Sequence, residues 1–185
     1  MLEGWHEFYG VLGTAAATLV GLLFVAASIG AGYLSAERRS PTRTFTSPII
    51  FHYTYVLFLS LAALVPINTD ASLAALIAIT AAVALLYSIA ILVRVMRTKT
   101  VTDLDDRLAY GASPMVAYAA ALVASVFIFL HSKIGAALLA GALVLLLIVN
   151  IRNAWDLTVF FAQRRTDNPL PPPVSTPEPS QPPSP

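Results

Sequence analysis

Cysteine is missing from this chain of 185 residues, and charged residues make up only 11% of it. The lack of cysteine excludes disulfides, thiolate catalysis and sites in which cysteine binds zinc or an iron–sulfur cluster. Soluble domains carry roughly 25% charged residues, so the low charge argues against a soluble domain. The formal net charge of +1 gives no reason to expect a nucleic-acid partner.

Recognisable catalytic motifs are also missing. No glycine-rich phosphate loop follows a strand-like segment, and the sequence contains neither an HExxH zinc motif nor a nucleophile elbow. The GAG sequence at Gly30–Gly32 ends a hydrophobic segment and does not indicate a nucleotide site. We therefore expect a non-enzymatic protein with no cofactor and no bound metal.

Long hydrophobic runs are what the chain has instead, because hydrophobic residues make up 57% of it. A transmembrane helix needs about 20 mostly apolar residues. Five runs reach or approach that length, and we expect each to be one span: about 8–34, 49–67, 72–93, 112–130 and 134–156. The second run follows Pro48 and ends at Pro66. The predicted fold is all-α, with a bundle of five transmembrane helices within residues 1–165.

The basic residues predict the orientation of this bundle. Of the eleven Lys and Arg residues, all except Lys133 fall within 35–48, within 94–114 or after Asn150. Positively charged short loops stay in the cytoplasm, so these three segments belong on the cytoplasmic side. We therefore predict a multi-pass protein of a cell membrane with its amino terminus outside and its carboxyl terminus inside.

The end of the chain is rich in proline. Residues 166–185 contain nine of the thirteen prolines and no aromatic residue. Such a composition cannot form a packed core, so we expect a disordered cytoplasmic tail with polyproline II character. The tail could dock into an aromatic groove of a partner, but a plain spacer is the more common role of such segments.

One face of the first run carries mainly small residues. At about 100° per residue, the arc centred on Gly10 includes a predicted helix-packing face of Gly10, Gly13, Thr14, Ala17, Gly21 and Ser28. Membrane helices have little hydrophobic drive to associate and approach closely through small residues. The face would therefore pack against the same chain or a second copy. Leu12, Leu19, Leu22 and Leu23 lie on the opposite side, which would then be turned to lipid.

A few polar residues fall in or near the predicted spans, where ionisable groups are functional candidates by default. They form a candidate cytoplasmic-side polar site of His52, Asn150, Arg152, Asn153 and Asp156. If the helices bring them together, we expect His52 to bond Asn150, Asn153 or Asp156. Arg152 and Asp156 are four residues apart and can pair on one helix face. The site is either a network that anchors helix ends or, less commonly, a site for a ligand, proton or ion.

Two functions are compatible with this pattern. The first is a non-enzymatic membrane component that acts by packing against itself or a membrane-protein partner, as the small-residue face indicates. The second is a small oligomeric channel or transporter for an ion or small solute, lined by polar residues of the first two helices. A transporter would show inverted repeats or broken helices at mid-membrane, and the sequence shows neither. The first function is therefore favoured.

The first helix carries a family resemblance. The segment WHEFYGVLGTAAATLVGLLFVAASI, Trp5–Ile29, resembles the opening helix of small multi-pass bacterial membrane proteins, some of which are labelled modulators of a membrane-bound AAA protease. The RNAWD segment, Arg152–Asp156, is more loosely similar. This resemblance implies a helical bundle in a bacterial inner membrane, and it carries no catalytic residues.

Overall fold

The computed structural model describes residues 3–30, 39–66, 69–98 and 112–167. A short 3-10 turn, Glu3–Trp5, is followed by α1 (His6–Gly30), α2 (Arg39–Leu64), α3 (Asp70–Thr98), α4 (Ser113–Phe129) and α5 (Lys133–Asp167). These ranges contain no strand, so the all-α prediction is confirmed. The proline-rich tail from residue 168, the basic loop regions 31–38 and 99–111, and the predicted ends of the first two spans lie outside the described residues.

Three of the helices are long and apolar enough to cross a membrane, over His6–Ser28, Asp70–Val93 and Lys133–Asp156. The apolar parts of α2 and α4 are shorter, Pro48–Leu64 and Ser113–Phe129. With 17 residues, α4 is about 25 Å long at 1.5 Å per residue, while the hydrocarbon core of a bilayer is about 30 Å thick. Length and composition alone therefore identify three spans.

Contacts between helix ends show that the five helices alternate in direction. The Tyr9 hydroxyl donates to the Ala136 carbonyl at 3.0 Å, so α1 and α5 begin at the same end of the bundle. His131 Nδ1 lies 2.8 Å from a carboxylate oxygen of Asp70, which places the start of α3 at that end too. Only five residues separate the end of α2 from the start of α3, and three separate α4 from α5, so α2 and α4 begin at the opposite end.

The two tryptophans lie at opposite ends of the bundle. Trp5 lies where α1 begins, and its ring packs on Phe8 with 5.7 Å between ring centroids. Trp155 is exposed on α5, 19 residues after Ala136. We call these the Trp5 end and the Trp155 end.

The helices do not pack in the order of the sequence. α1 packs on α2, α2 on α5, α5 on α4 and α4 on α3, while α2 and α3 touch at only a few positions. Small residues are frequent on the buried surfaces of α3, α4 and α5, which lets their backbones approach closely. Fully or nearly fully buried alanines there include Ala81, Ala84, Ala117, Ala121, Ala124, Ala136 and Ala140.

The turn between α4 and α5 is tight. His131 has a positive φ of 55°, and the Ser132 N–H donates to the Phe127 carbonyl at 2.9 Å. This arrangement closes the end of α4 in the way that a left-handed residue normally does. A Cβ added to Gly135 would lie 2.7 Å from the Ile128 nitrogen, so only glycine fits without a backbone shift.

The start of α2 differs from the prediction. The sequence placed the helix start after Pro48, but the helix begins at Arg39 and Pro48 lies inside it. A proline lacks one backbone N–H and usually kinks or ends a helix. Here it removes a single hydrogen bond, and the helix continues on both sides of it. At its other end α2 stops at Leu64, before Pro66, as predicted.

Candidate functional site

The face that α1 turns to the bundle overlaps the predicted small-residue face only at Gly13. The side chains of Tyr9, Leu12, Ala16 and Leu23 are buried. The expectation that this side faces lipid is therefore wrong for Leu12 and Leu23, whereas Leu22 is more than half exposed. Leucine is about as stable against a helix as against lipid tails, so its hydrophobicity does not reveal which side of a membrane helix is inside the protein.

Of the predicted packing face, Gly13 is the member that lies close against another helix of this chain. A Cβ added to Gly13 would be 3.2 Å from the Ser60 Cβ on α2. Cβ atoms added to Gly10 and Gly21 would meet nothing within 4 Å. Thr14, Ala17, Gly21 and Ser28 are exposed, and Gly10 is half-buried. Most of the small-residue face is therefore on the outer surface of the single chain.

We call the part of this face outside the Gly13 contact, namely Gly10, Thr14, Ala17, Gly21 and Ser28, the open α1 face. Its hydroxyls are bonded within the helix: Thr14 donates to the Gly10 carbonyl at 2.9 Å, and Ser28 donates to the Phe24 carbonyl at 2.8 Å. These hydroxyls therefore need no partner outside the helix. The face presents small, hydrogen-bonded groups that another helix can approach closely.

An apolar groove runs beside the open α1 face. It has a volume of about 740 Å³ and is lined by Thr14 and Thr18 of α1 and by Leu147 and Ile151 of α5, with Glu7 at the Trp5 end. The Thr18 hydroxyl donates to the Thr14 carbonyl at 2.9 Å, so it too is bonded within the helix. The groove therefore extends the open surface of α1 toward α5. The hydroxyls of both threonines in it are already hydrogen-bonded within α1.

His52 has a different partner from those predicted. It is buried between α2 and α4, and its Nδ1 is hydrogen-bonded to the Tyr118 hydroxyl. Tyr118 also packs edge-on against Tyr55, with 4.9 Å between ring centroids. On α3, Tyr87 stacks against Phe51 at 4.6 Å. His52, Tyr55 and Tyr118 are thus buried together, with the half-buried rings of Phe51 and Tyr87 beside them. None of Asn150, Asn153 and Asp156 is the bonded partner of Nδ1.

Asn150 of α5 lies beside a different cluster from His52. Asn150 and Asn153 are both buried, and Asn150 Nδ2 donates to the Leu146 carbonyl at 2.6 Å. Leu147 and Ala154, on the same side of α5, pack against a cluster that contains Tyr53 and Leu23. Consecutive helix residues point about 100° apart, so His52 and Tyr53 project from α2 toward different neighbours. His52 therefore lies at the interface of α2 with α4, whereas Asn150 lies at the interface of α5 with the Tyr53 cluster.

Arg152 and Asp156 belong to neither interface. Both are exposed, and in the part of the chain that the structure describes they form no ion pair with each other. Among the described residues, His131 Nδ1 lies 2.8 Å from a carboxylate oxygen of Asp70 at the Trp5 end. Within the described ranges, no group of three His, Asp or Glu side chains is arranged to hold a metal ion.

Tyr118 is the site residue that the sequence reasoning missed. It is a single phenol in an otherwise apolar helix and has no exposed surface. Polar groups inside membrane spans usually face the interior of the protein, so the position of Tyr118 in an apolar run could have predicted that its hydroxyl is buried. The predicted site was restricted to histidine, arginine, aspartate and amide side chains, so it included His52 and omitted Tyr118.

Comparison with protein-family models, with curated proteins and with solved structures finds no match for this chain. A function can therefore be proposed only from the fold and the contacts of the chain itself.

Proposed function

We propose that this protein is a non-enzymatic integral membrane component that acts by packing its open α1 face against a helix of another chain. The observation that supports this most is the exposure of that face on the single chain. Small residues are favoured where membrane helices meet, because they let the two backbones approach. On α1 they are exposed, and among the helices that the structure describes none covers them.

The contrast with α3 supports this interpretation. The exposed side of α3 carries the large side chains Ile79, Val83 and Leu86, each more than half exposed. That is the composition expected of a side that contacts lipid tails. On α1 the positions at Thr14, Ala17 and Gly21 are also open but hold small residues. The open α1 face thus differs from the outer surface of α3, although the large side chains Phe24 and Val25 beside it are also exposed. This difference, confined to the small-residue positions, argues that α1 has a protein neighbour.

The proposal includes five spans in a bacterial inner membrane. The alternating directions of the helices are those required of a chain that crosses a bilayer five times. From Ala136, which is level with Tyr9, to Trp155 is about 28 Å along α5, close to the thickness of a bilayer core. The tryptophans then lie at the two membrane surfaces, as interfacial aromatic residues do. The basic segments place the Trp155 end in the cytoplasm and the Trp5 end outside.

Replacing small residues of the open α1 face tests the proposed function. Ala17→Leu and Gly21→Leu add bulk where another backbone should approach, so we expect loss of the complex that the protein forms in native lipid. Val83→Ala on the lipid-type surface of α3 is the matched control and should leave the complex intact. The complex can be detected by chemical cross-linking in membranes. Unchanged cross-linking in both α1 variants would contradict the proposal.

A small channel or transporter is the second candidate, and one observation favours it. Several polar atoms are buried with no hydrogen-bond partner in the described part of the chain, among them Tyr53 Oη, Ser60 Oγ, Ser88 Oγ and Asn150 Oδ1. Buried polar groups at membrane depth often mark ion or proton pathways. Ion flux into liposomes that contain the purified protein, with loss of flux in Asn150→Leu, would support this function over the first.

A further inference from the structure

We infer that the helix covering the open α1 face is α1 of a second copy of this chain, parallel to the first and related to it by a two-fold axis. This inference rests on the proposed function and names the partner. Copies that insert in the same way share one orientation in the membrane. A two-fold pair through α1 therefore has its axis along the membrane normal, and both first helices run side by side in the same direction.

The charges at the start of α1 are arranged for such a pair. At about 100° per residue, the direction midway between Gly10 and Gly21 marks the centre of the open α1 face. His6 projects about 50° to one side of this direction and Glu7 about 50° to the other. Both side chains are exposed. The face is thus flanked at the Trp5 end by a group that can carry positive charge and by a carboxylate.

A two-fold axis brings unlike flanks together. When a helix packs on its own copy in parallel, each flank faces the opposite flank of the other helix. His6 then lies opposite the partner subunit's Glu7, and Glu7 opposite the partner subunit's His6, at nearly the same depth. The two contacts are equivalent and complementary. Charge complementarity of this kind fixes register and partner choice more than it adds affinity.

Further along α1, Phe24 and Val25 lie on the same two sides of the open α1 face as His6 and Glu7. Phe24 and Val25 follow His6 and Glu7 by 18 residues, which is five helical turns, so they project in the same two directions. Both are more than half exposed. In a parallel pair Phe24 lies opposite the partner subunit's Val25. Large apolar residues would then close both sides of the small-residue contact, with Ala17 and Gly21 between the two backbones.

Disulfide cross-linking tests this pair directly, because the chain has no cysteine of its own. Ala17→Cys and Gly21→Cys place one thiol at the centre of the contact, where it meets the same residue of the second copy. Oxidation of native membranes should give a disulfide-linked dimer from each. Leu86→Cys, on the exposed side of α3, is the control and should remain monomeric. Equal dimer formation by all three, or none by the two α1 variants, would overturn the inference.

Exchanging the charges at positions 6 and 7 distinguishes the parallel two-fold pair from a pair held together by the small residues alone. In the Ala17→Cys background, His6→Glu places two carboxylates opposite one another, and Glu7→Lys removes the carboxylate that His6 faces, so the dimer fraction should fall in both. The combination of both substitutions places a carboxylate opposite an ammonium group and should recover the dimer. A combined variant no better than the single ones would overturn the parallel two-fold arrangement. Cysteine-specific cross-linking to a different protein would also overturn it but leave the proposed function standing.

Discussion

Removing the Tyr118 hydroxyl tests the hydrogen bond that joins α2 to α4. Tyr118→Phe deletes one oxygen and keeps the ring that packs on Tyr55 at 4.9 Å. His52 would retain a buried ring nitrogen without its partner, a situation that typically costs about 1–3 kcal/mol. Hydrogen bonds between membrane helices average about 0.6 kcal/mol, with a maximum of about 1.7 kcal/mol. We therefore expect a loss of about 1 kcal/mol in the free energy of unfolding.

The assay is reversible unfolding in mixed micelles, followed by helix content as a denaturing detergent is added. Tyr118→Phe, His52→Leu and the double variant form a cycle in which the coupling should be about 0.5–1.5 kcal/mol. Tyr53→Phe is the control, because the Tyr53 hydroxyl has no partner in the described part of the chain and its removal should cost little. Additivity of the two single changes within about 0.3 kcal/mol would refute the bond.

Three further predictions concern packing and topology. Gly135→Ala should lower stability by about 1–3 kcal/mol, since its Cβ would lie 2.7 Å from the Ile128 nitrogen, whereas Gly141→Ala on the same helix has open space and should be neutral or stabilising in the same unfolding assay. Gly13→Leu should destabilise the single chain in detergent by about 1–3 kcal/mol through contact with Ser60, while Gly21→Leu should change it by less than about 0.5 kcal/mol. In intact cells an impermeant thiol reagent should label Lys133→Cys but not Thr158→Cys, and the reverse pattern would contradict the proposed orientation.

The helical architecture could be predicted from the sequence because a bilayer imposes a simple requirement. Each apolar run is bounded by charged or proline-containing segments, and no stable backbone other than a helix suits such a run in lipid. The end of α2 before Pro66 follows in the same way from the restricted backbone ahead of a proline. The start of α2 could not be predicted, because Pro48 is compatible with both a first turn and a helix interior.

Depth in the bundle was easier to predict than direction around each helix. His52 was expected near the level of Asn150 and Asn153, and its neighbour Tyr53 does belong to a cluster that Ala154 of α5 packs against. The bonded partner could not be identified, because a residue count along a helix gives its height and says nothing about which helices are adjacent. The bundle packs α2 between α1 and α5, with α4 reached by another side of α2.

The same limit explains the first helix. Hydrophobicity does not distinguish the two sides of a helix when both the protein interior and the lipid are apolar, so Leu12 and Leu23 could not be assigned to either. The small-residue pattern did mark a side of α1 with unusual composition. Whether that side meets α2, α5 or a second chain depends on the position of Tyr9, which bonds α5 and fixes the rotation of α1.

The mass of the protein released intact from native lipid particles tests the central proposal most directly. One chain weighs 19.7 kDa. If the open α1 face binds another chain, native mass spectrometry should show a complex, with the mass of two chains if the partner is a second copy. The complex should be reduced to single chains by Ala17→Leu combined with Gly21→Leu. A wild-type protein that leaves native lipid only as single chains would contradict the account.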